Sequence, residues 1–247
     1  MSLYKYETHL HTMEGSACAH NTGEEMAYAA KKAGYAGIIV TDHNWGGNTK
    51  VDRSLPWEQF VEEFCKGYEH AKKAGEQIDL DVFFGWEAGY RGTEFLIYGL
   101  DKAWLLSHPE IRTATIEEQY ALVQKGGGMV IHAHPYREES YIPEIRLFPK
   151  AVDGVEVINA THSNRLSKSH VDPEYNKRAL TYARQHQLLM TAGSDVHTTT
   201  MLGGGMLFER RLSDIQDLLR AVRNGECREL TDGDREHLTG TGAEKEC

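Results

Sequence analysis

Short apolar runs alternate with amphipathic stretches along most of the chain, and this rhythm sets the expected architecture. Seven runs read as strands: Leu3 to His9, Ala36 to Asp42, Asp81 to Glu87, Thr93 to Gly99, Gly128 to His134, Gly154 to Ala160 and Leu188 to Asp195. Between them, Thr22 with Glu25, Thr115 with Glu118 and Ser213 with Gln216 have the spacing of helix capping boxes, and Asp172-Pro173 supplies an N-cap followed by proline. From Trp57 onward, Phe60, Val61, Phe64, Tyr68 and Ala71 form a single helical stripe, the pattern of a helix lying on a barrel wall. Strands alternating with helices predict an α/β barrel. No repeat or composition break appears before the last dozen residues, so 1–233 is expected to be one domain. Residues 234–247 mix Gly, Thr and charges without apolar periodicity and read as a mobile tail.

Chemistry is concentrated where these strands stop. His9-Leu10-His11 ends the first, and similar signals return at Thr41-Asp42-His43, Gly85-Trp86-Glu87, His132-Ala133-His134-Pro135 and Gly193-Ser194-Asp195-Val196-His197. A barrel of parallel strands brings such ends to one face. Residues two apart in a strand share a side, so His9 and His11 can chelate one ion, as can Asp195 and His197. Imidazole nitrogen with carboxylate oxygen suits zinc, manganese or iron better than calcium. A lone His-x-His is an even bet against ordinary histidines, but five signals in the same position favour a shared metal site.

Composition narrows the partners. Of 247 residues, 40% are hydrophobic and 26% charged, as in ordinary globular proteins. A net charge of -10 without a Lys/Arg cluster argues against wrapping a long nucleic acid, although bound cations would still draw a small anion to an acidic pocket. No apolar run approaches the roughly 18 residues of a membrane span, and the polar start lacks a signal core, so a cytoplasmic location is expected. The four cysteines, at 18, 65, 227 and 247, lack CxxC spacing and read as free thiols. Nothing in the sequence fixes the oligomeric state.

From about Tyr6 to Met206 these motifs, in this order, resemble the polymerase and histidinol phosphatase (PHP) family of metal-dependent hydrolases. The resemblance implies a distorted seven-stranded (β/α)7 TIM-like barrel with two or three divalent transition-metal ions, and hydrolysis of phosphate esters. It would place His9, His11 and Asp195 on a first ion, with Glu87 bridging to a second that His134 completes. His43 and His197 would hold a third. Glu94 stands where the family usually has a histidine and would serve as a substitute carboxylate ligand. In the loop 12–21 the family's third-site ligand falls on Cys18 by ungapped spacing, with Glu14 and His20 as competitors. His132 has no role in that pattern.

Around this core, Asp42 and Glu7 are expected to orient ligands through hydrogen bonds, while the mid-strand Glu156 needs a cation or a place at the mouth. Arg137, three residues past His134, is placed for bidentate contact with phosphate, or it is a surface arginine. The segment 161–170, with His162, Arg165, Lys168 and His170, either lines the substrate entrance or is a solvated loop. Gly203-Gly204-Gly205 lacks the setting of a phosphate-binding loop and reads as a flexible turn. The function expected is hydrolysis of a small phosphorylated substrate by water made nucleophilic by the ions, with Glu87, His197 and Arg137 as the catalytic set. His43 is an alternative to His197 for moving a proton. Two other classes stay open: hydrolysis of carbon–nitrogen bonds, as in amidohydrolases, and a metal-binding barrel without catalysis. The first normally needs a bridging Lys at the end of a middle strand, and none is found.

Overall fold

The computed structural model describes residues 3–234 and 237–239. All seven expected strands form, as β1 (Tyr4–Leu10), β2 (Gly37–Val40), β3 (Asp81–Tyr90), β4 (Thr93–Tyr98), β5 (Met129–Ala133), β6 (Gly154–Asn159) and β7 (Leu189–Gly193). Three more follow, β8 (Gly205–Phe208), β9 (Cys227–Thr231) and β10 (His237–Thr239). All ten lie in one sheet of order β10-β9-β8-β1-β2-β3-β4-β5-β6-β7. The far end returns to β1 just past β7, where His11 N–H donates to Val196 O at 3.0 Å and Val196 N–H to His9 O at 3.2 Å.

This α/β barrel differs from a seven-stranded (β/α)7 barrel in two ways. First, β4 runs antiparallel to both β3 and β5, whereas β1–β2, β2–β3, β5–β6 and β6–β7 are parallel. Only Arg91 and Gly92, with φ of 53° and 86°, join β3 to β4. A two-residue link with both φ positive is a hairpin turn and cannot carry a parallel crossover. Second, β8 pairs antiparallel with the outer edge of β1 and leads into β9 and β10. The glycine run before β8 is a close approach, not a loose turn: a Cβ at Gly204 would stand 2.6 Å from the Gly193 carbonyl oxygen. The expected tail at 234–247 lies largely outside the described residues, apart from Asp234 and β10.

Helix starts follow their capping chemistry. Thr22 and Thr115 form reciprocal boxes with Glu25 and Glu118 at α1 (Gly23–Lys32) and at the later helix Ile116–Lys125. The Trp57 stripe spans α2 (Trp57–Phe64) and α3 (Lys66–Ile78), separated at Cys65. Two short segments follow, α4 (Lys102–Ser107) and a 3-10 turn at Pro109–Thr113, before Ile116–Lys125, which is α5. After α6 (Ala160–Ser163), Asp172 caps α7 (Pro173–His186) as expected. For α8 (Ile215–Arg223) the cap is Asp214, which accepts from Asp217 N–H; Gln216 instead donates to Gly99 O at 2.7 Å. Trp57, Phe60, Val61 and Phe64 pack on Phe84 and Trp86 of β3, so this aromatic stripe is core. Among the described residues, no helix is long and apolar enough to cross a membrane.

Candidate metal centre

The ends of β1, β2, β3, β5 and β7, and the start of β4, meet at one mouth. Glu94 is the second residue of β4, opposite Gly89 of β3 and Ala133 of β5, so the antiparallel course of β4 carries its first residues to the end where parallel strands finish. Two ligand positions adopt backbone that non-glycine residues seldom use, His134 with φ 27° and Asp195 with φ 53°. Such strain persists only where the surroundings fix it, and it collects at functional sites.

Glu87 is the hub. Its Oε1 lies 3.0 Å from His134 Nε2 and 3.2 Å from His9 Nε2, while Oε2 lies 2.8 Å from His43 Nδ1 and 3.5 Å from His11 Nε2. Asp195 Oδ1 stands 3.3 Å from His11 Nε2 and 3.5 Å from His9 Nε2. Glu94 reaches both His43 and His134 at 3.6 Å. The donors fall into overlapping triads, each within 4.8 Å: His9, His11 and Asp195; His9, Glu87 and His134; His43, Glu87 and Glu94; His11, His43 and His197.

Other hydrogen bonds hold these rings so that one nitrogen stays free. His9 Nδ1–H donates to Glu156 Oε1 at 2.9 Å, directing Nε2 at Glu87 and Asp195. His11 Nδ1–H donates to Ser16 Oγ at 3.0 Å, and Ser16 in turn donates to Asp42 Oδ1 at 2.7 Å. His197 Nδ1–H donates to the Asp195 carbonyl at 2.9 Å. A second partner of this kind fixes ring orientation and leaves a lone pair for a cation. Glu7 accepts from His9 N–H and Ser194 N–H, tying β1 to the exit of β7.

The donor set fits divalent cations. His9 Nε2, His11 Nε2, His43 Nδ1 and Glu87 Oε2 are buried and converge, and apart from their close approaches within the cluster none has a hydrogen-bond partner. Buried polar atoms left unpaired are costly, and four around one carboxylate are the arrangement a cation would satisfy. Burial alone would lower the His9 pKa, but Glu156, Asp195 and Glu87 hold it well above the ordinary value. Burial would likewise raise Glu87, but His9, His43 and His134 hold its carboxyl well below the usual range. Imidazolium and carboxylate thus stabilise one another in this cluster, and a bound cation would take over the charge of the ring protons it displaces.

Cys18 contacts His43 and His197; burial would raise its thiol pKa, but these two rings bring it down to about 6, which favours thiolate near neutral pH. Of its competitors, Glu14 is committed elsewhere, accepting from Gly23 N–H and lying 2.8 Å from His70 Nδ1. His20 borders a neighbouring cavity.

Arg137 is buried and lines the mouth, where it binds Asp195 Oδ2 and donates to Thr161 Oγ1 at 3.3 Å. Its Nε–H donates to His162 Nε2 at 3.2 Å, and His162 Nδ1–H donates to Asn176 Oδ1 at 3.0 Å. His162 is therefore corrected in placement: fully packed behind Arg137, it positions the guanidinium and does not line the entrance as expected. Lys168 and His170 do line a cavity wall, whereas Arg165 turns out to Asp234. His132 stacks on Phe95 at 4.9 Å, and burial, then His134 and Arg146, push its pKa down to about 3. It belongs to the packing behind the centre. Sequence reasoning missed Ser16 and Asn176 and left Glu156 open; only Glu156 carried a signal, a charge in mid-strand.

Residues 173–227, from α7 to the start of β9, match the family model described as PHP-associated. An uncharacterized protein of Methanocaldococcus jannaschii is 29% identical over 133 residues, covering 54% of this chain and 63% of that protein. A two-domain protein from Bacteroides vulgatus, described as containing a predicted PHP-like metal-dependent phosphoesterase, matches in fold with a TM-score of 0.66 at 14% identity, over 93% of this chain and 64% of its own. The chain thus covers just under two thirds of each of these two relatives. An amidohydrolase from Chromobacterium violaceum, with bound sulfate and no metal, matches with a TM-score of 0.56 at 16% identity, over 97% of this chain and 99% of its own. At these identities the structural likeness is one of fold.

Proposed function

We propose that this chain, which belongs with the PHP proteins by its fold and its PHP-associated segment 173–227, is a metal-dependent hydrolase of phosphate esters. The observation that carries the reading is Glu87, a buried carboxylate among four imidazoles, with unpaired donor atoms of three of those rings directed at it. His9, His11, Asp195 and Glu87 would hold one ion, Glu87, Glu94 and His134 a second, and Cys18, His43 and His197 a third. Zinc, manganese or iron suits these donors. Bound cations would supply Lewis acidity toward phosphoryl oxygens and lower the pKa of water at the mouth.

The chain's own groups do the rest. Arg137, held by Asp195, Thr161 and His162, presents a fixed positive charge to an anionic group at the mouth. Glu156 and Ser16 keep His9 and His11 in the tautomer that offers Nε2. His197, a quarter exposed at its side chain, is placed to hand a proton to a departing oxygen when it is not itself a ligand.

Hydrolysis of a carbon–nitrogen bond is the second reading, favoured by the likeness to the Chromobacterium amidohydrolase. Among the described residues, no lysine is buried beside the clustered carboxylates and imidazoles, so the bridging group of that chemistry is missing. The test is turnover of a panel of phosphate esters and amides by protein loaded with manganese or zinc. Ester hydrolysis is expected; amide hydrolysis alone would select the second reading, and bound metal without turnover of either would select a binding module.

A further inference from the structure

The centre opens on two cavities. One, of about 500 Å3, is bordered by His43, Glu94, Arg137 and Tyr141. The other, of about 580 Å3, is bordered by His20, Thr161, Leu166, Lys168 and Thr200. Cys18, His170, Asp195 and His197 line both, so candidate ligands stand at the seam. His170 is the one of these four that stands on the loop between α6 and α7. Its backbone is in the left-handed region at φ 56°, and its Nδ1 lies 2.5 Å from Glu139 Oε1 on the facing loop.

Each cavity falls within the roughly 300–1,000 Å3 that holds a small organic ligand, and each far exceeds a bare phosphoryl group. A monoester carries an organic group on only one side of phosphorus, which would leave the second cavity to water. The second cavity is nevertheless built for contact. Thr198 and Thr200 offer hydroxyls, Leu166 and Met201 offer apolar surface, and Lys168 adds a positive charge.

We propose that the substrate is a phosphodiester whose two organic groups occupy the two cavities, an inference that rests on the phosphoesterase reading above. In the reaction, water oxygen bonds to phosphorus and the P–O bond to the group in the second cavity breaks. The electron pair leaves on that group's oxygen, which takes a proton derived from the water, giving an alcohol and a phosphomonoester.

The experiment compares kcat/KM of the manganese-loaded full chain for bis(p-nitrophenyl) phosphate and p-nitrophenyl phosphate. The diester is expected to be preferred by about tenfold or more. Thr200→Trp, which fills the second cavity, and Lys168→Glu, which reverses its charge, are both at exposed positions and should each lower the diester-to-monoester ratio by about tenfold. Preference for the monoester, or a ratio unchanged in both variants, would overturn the diester inference and leave the phosphoesterase reading standing. Hydrolysis of neither ester would overturn both.

Discussion

The inner and outer halves of the proposed metal centre use the same kinds of side chain but hold them differently. His9, His11, Glu87, His134 and Asp195 sit within strands or just past their ends, each no more than 5% exposed, and β-sheet register sets their spacing. Cys18, His43, Glu94 and His197 surround them on loops and strand starts, with side-chain exposure reaching 13% at Glu94 and 27% at His197. The inner rings His9 and His11 are locked by Glu156 and by the Ser16–Asp42 pair, whereas His197 bonds a backbone carbonyl two residues away and meets Cys18 and the face of His11. Rigid placement should make the inner ions integral, while the outer ion should exchange more readily and respond to pH.

The largest effect should come from the hub. Glu87→Ala should lower turnover by on the order of a thousandfold or more, several kcal/mol of lost charge stabilisation, and remove at least one ion. Elemental analysis beside an ester assay checks both, and wild-type metal content in this variant would end the bridging assignment. Next is Glu156→Gln. His134 N–H and Asn159 Nδ2–H both donate to Glu156 Oε2, so the single amide oxygen would stay with these two donors and the NH2 would turn to His9 Nδ1–H, which loses its acceptor. Inner metal affinity should fall by roughly 10–100-fold, measured by competition with a chelator.

His162→Leu should be milder. It leaves the Arg137 ion pair with Asp195 but removes the acceptor for Nε–H, and kcat/KM should drop by about tenfold with metal content unchanged. His162→Gln, which can restore an acceptor, should recover part of the loss. The smallest effect belongs to the outer half: Cys18→Ser should reduce occupancy of one ion and slow turnover by only about a few fold. The Cys18 thiol must lose its proton to bind, and so must His43 and His197, whose pKa values their neighbours raise; affinity for that ion should therefore rise as pH increases through about 6 and keep rising above it. The variant should lose the thiol's part of that rise; equal ion content at every pH would remove Cys18 from the centre.

The same division governs what could be read from sequence. The inner ligands were legible because strand periodicity of two turns His-x-His into a geometric statement, and its recurrence at later strand ends implies one face. The outer candidates depend on loop paths, so spacing alone does not separate Glu14, Cys18 and His20; only the folded chain commits Glu14 to the first amide of α1. Direction was hidden too, although only five residues separate the expected ends at Glu87 and Thr93, too few for a parallel crossover. That antiparallel turn is what brings Glu94 to the mouth. The pairing of β8–β10 followed from no local signal, since the glycines before them serve a close backbone contact with β7. His162 was misread because burial behind Arg137 is a tertiary fact.

The most direct test of the central claim measures metal content and phosphate-ester hydrolysis on the same sample through chelation and re-addition of manganese or zinc. The expected result is roughly two or three ions per chain, with hydrolysis lost on chelation and restored in step with the inner ions. Hydrolysis that persists after the metal is gone, or full metal content without hydrolysis of any phosphate ester, would contradict it.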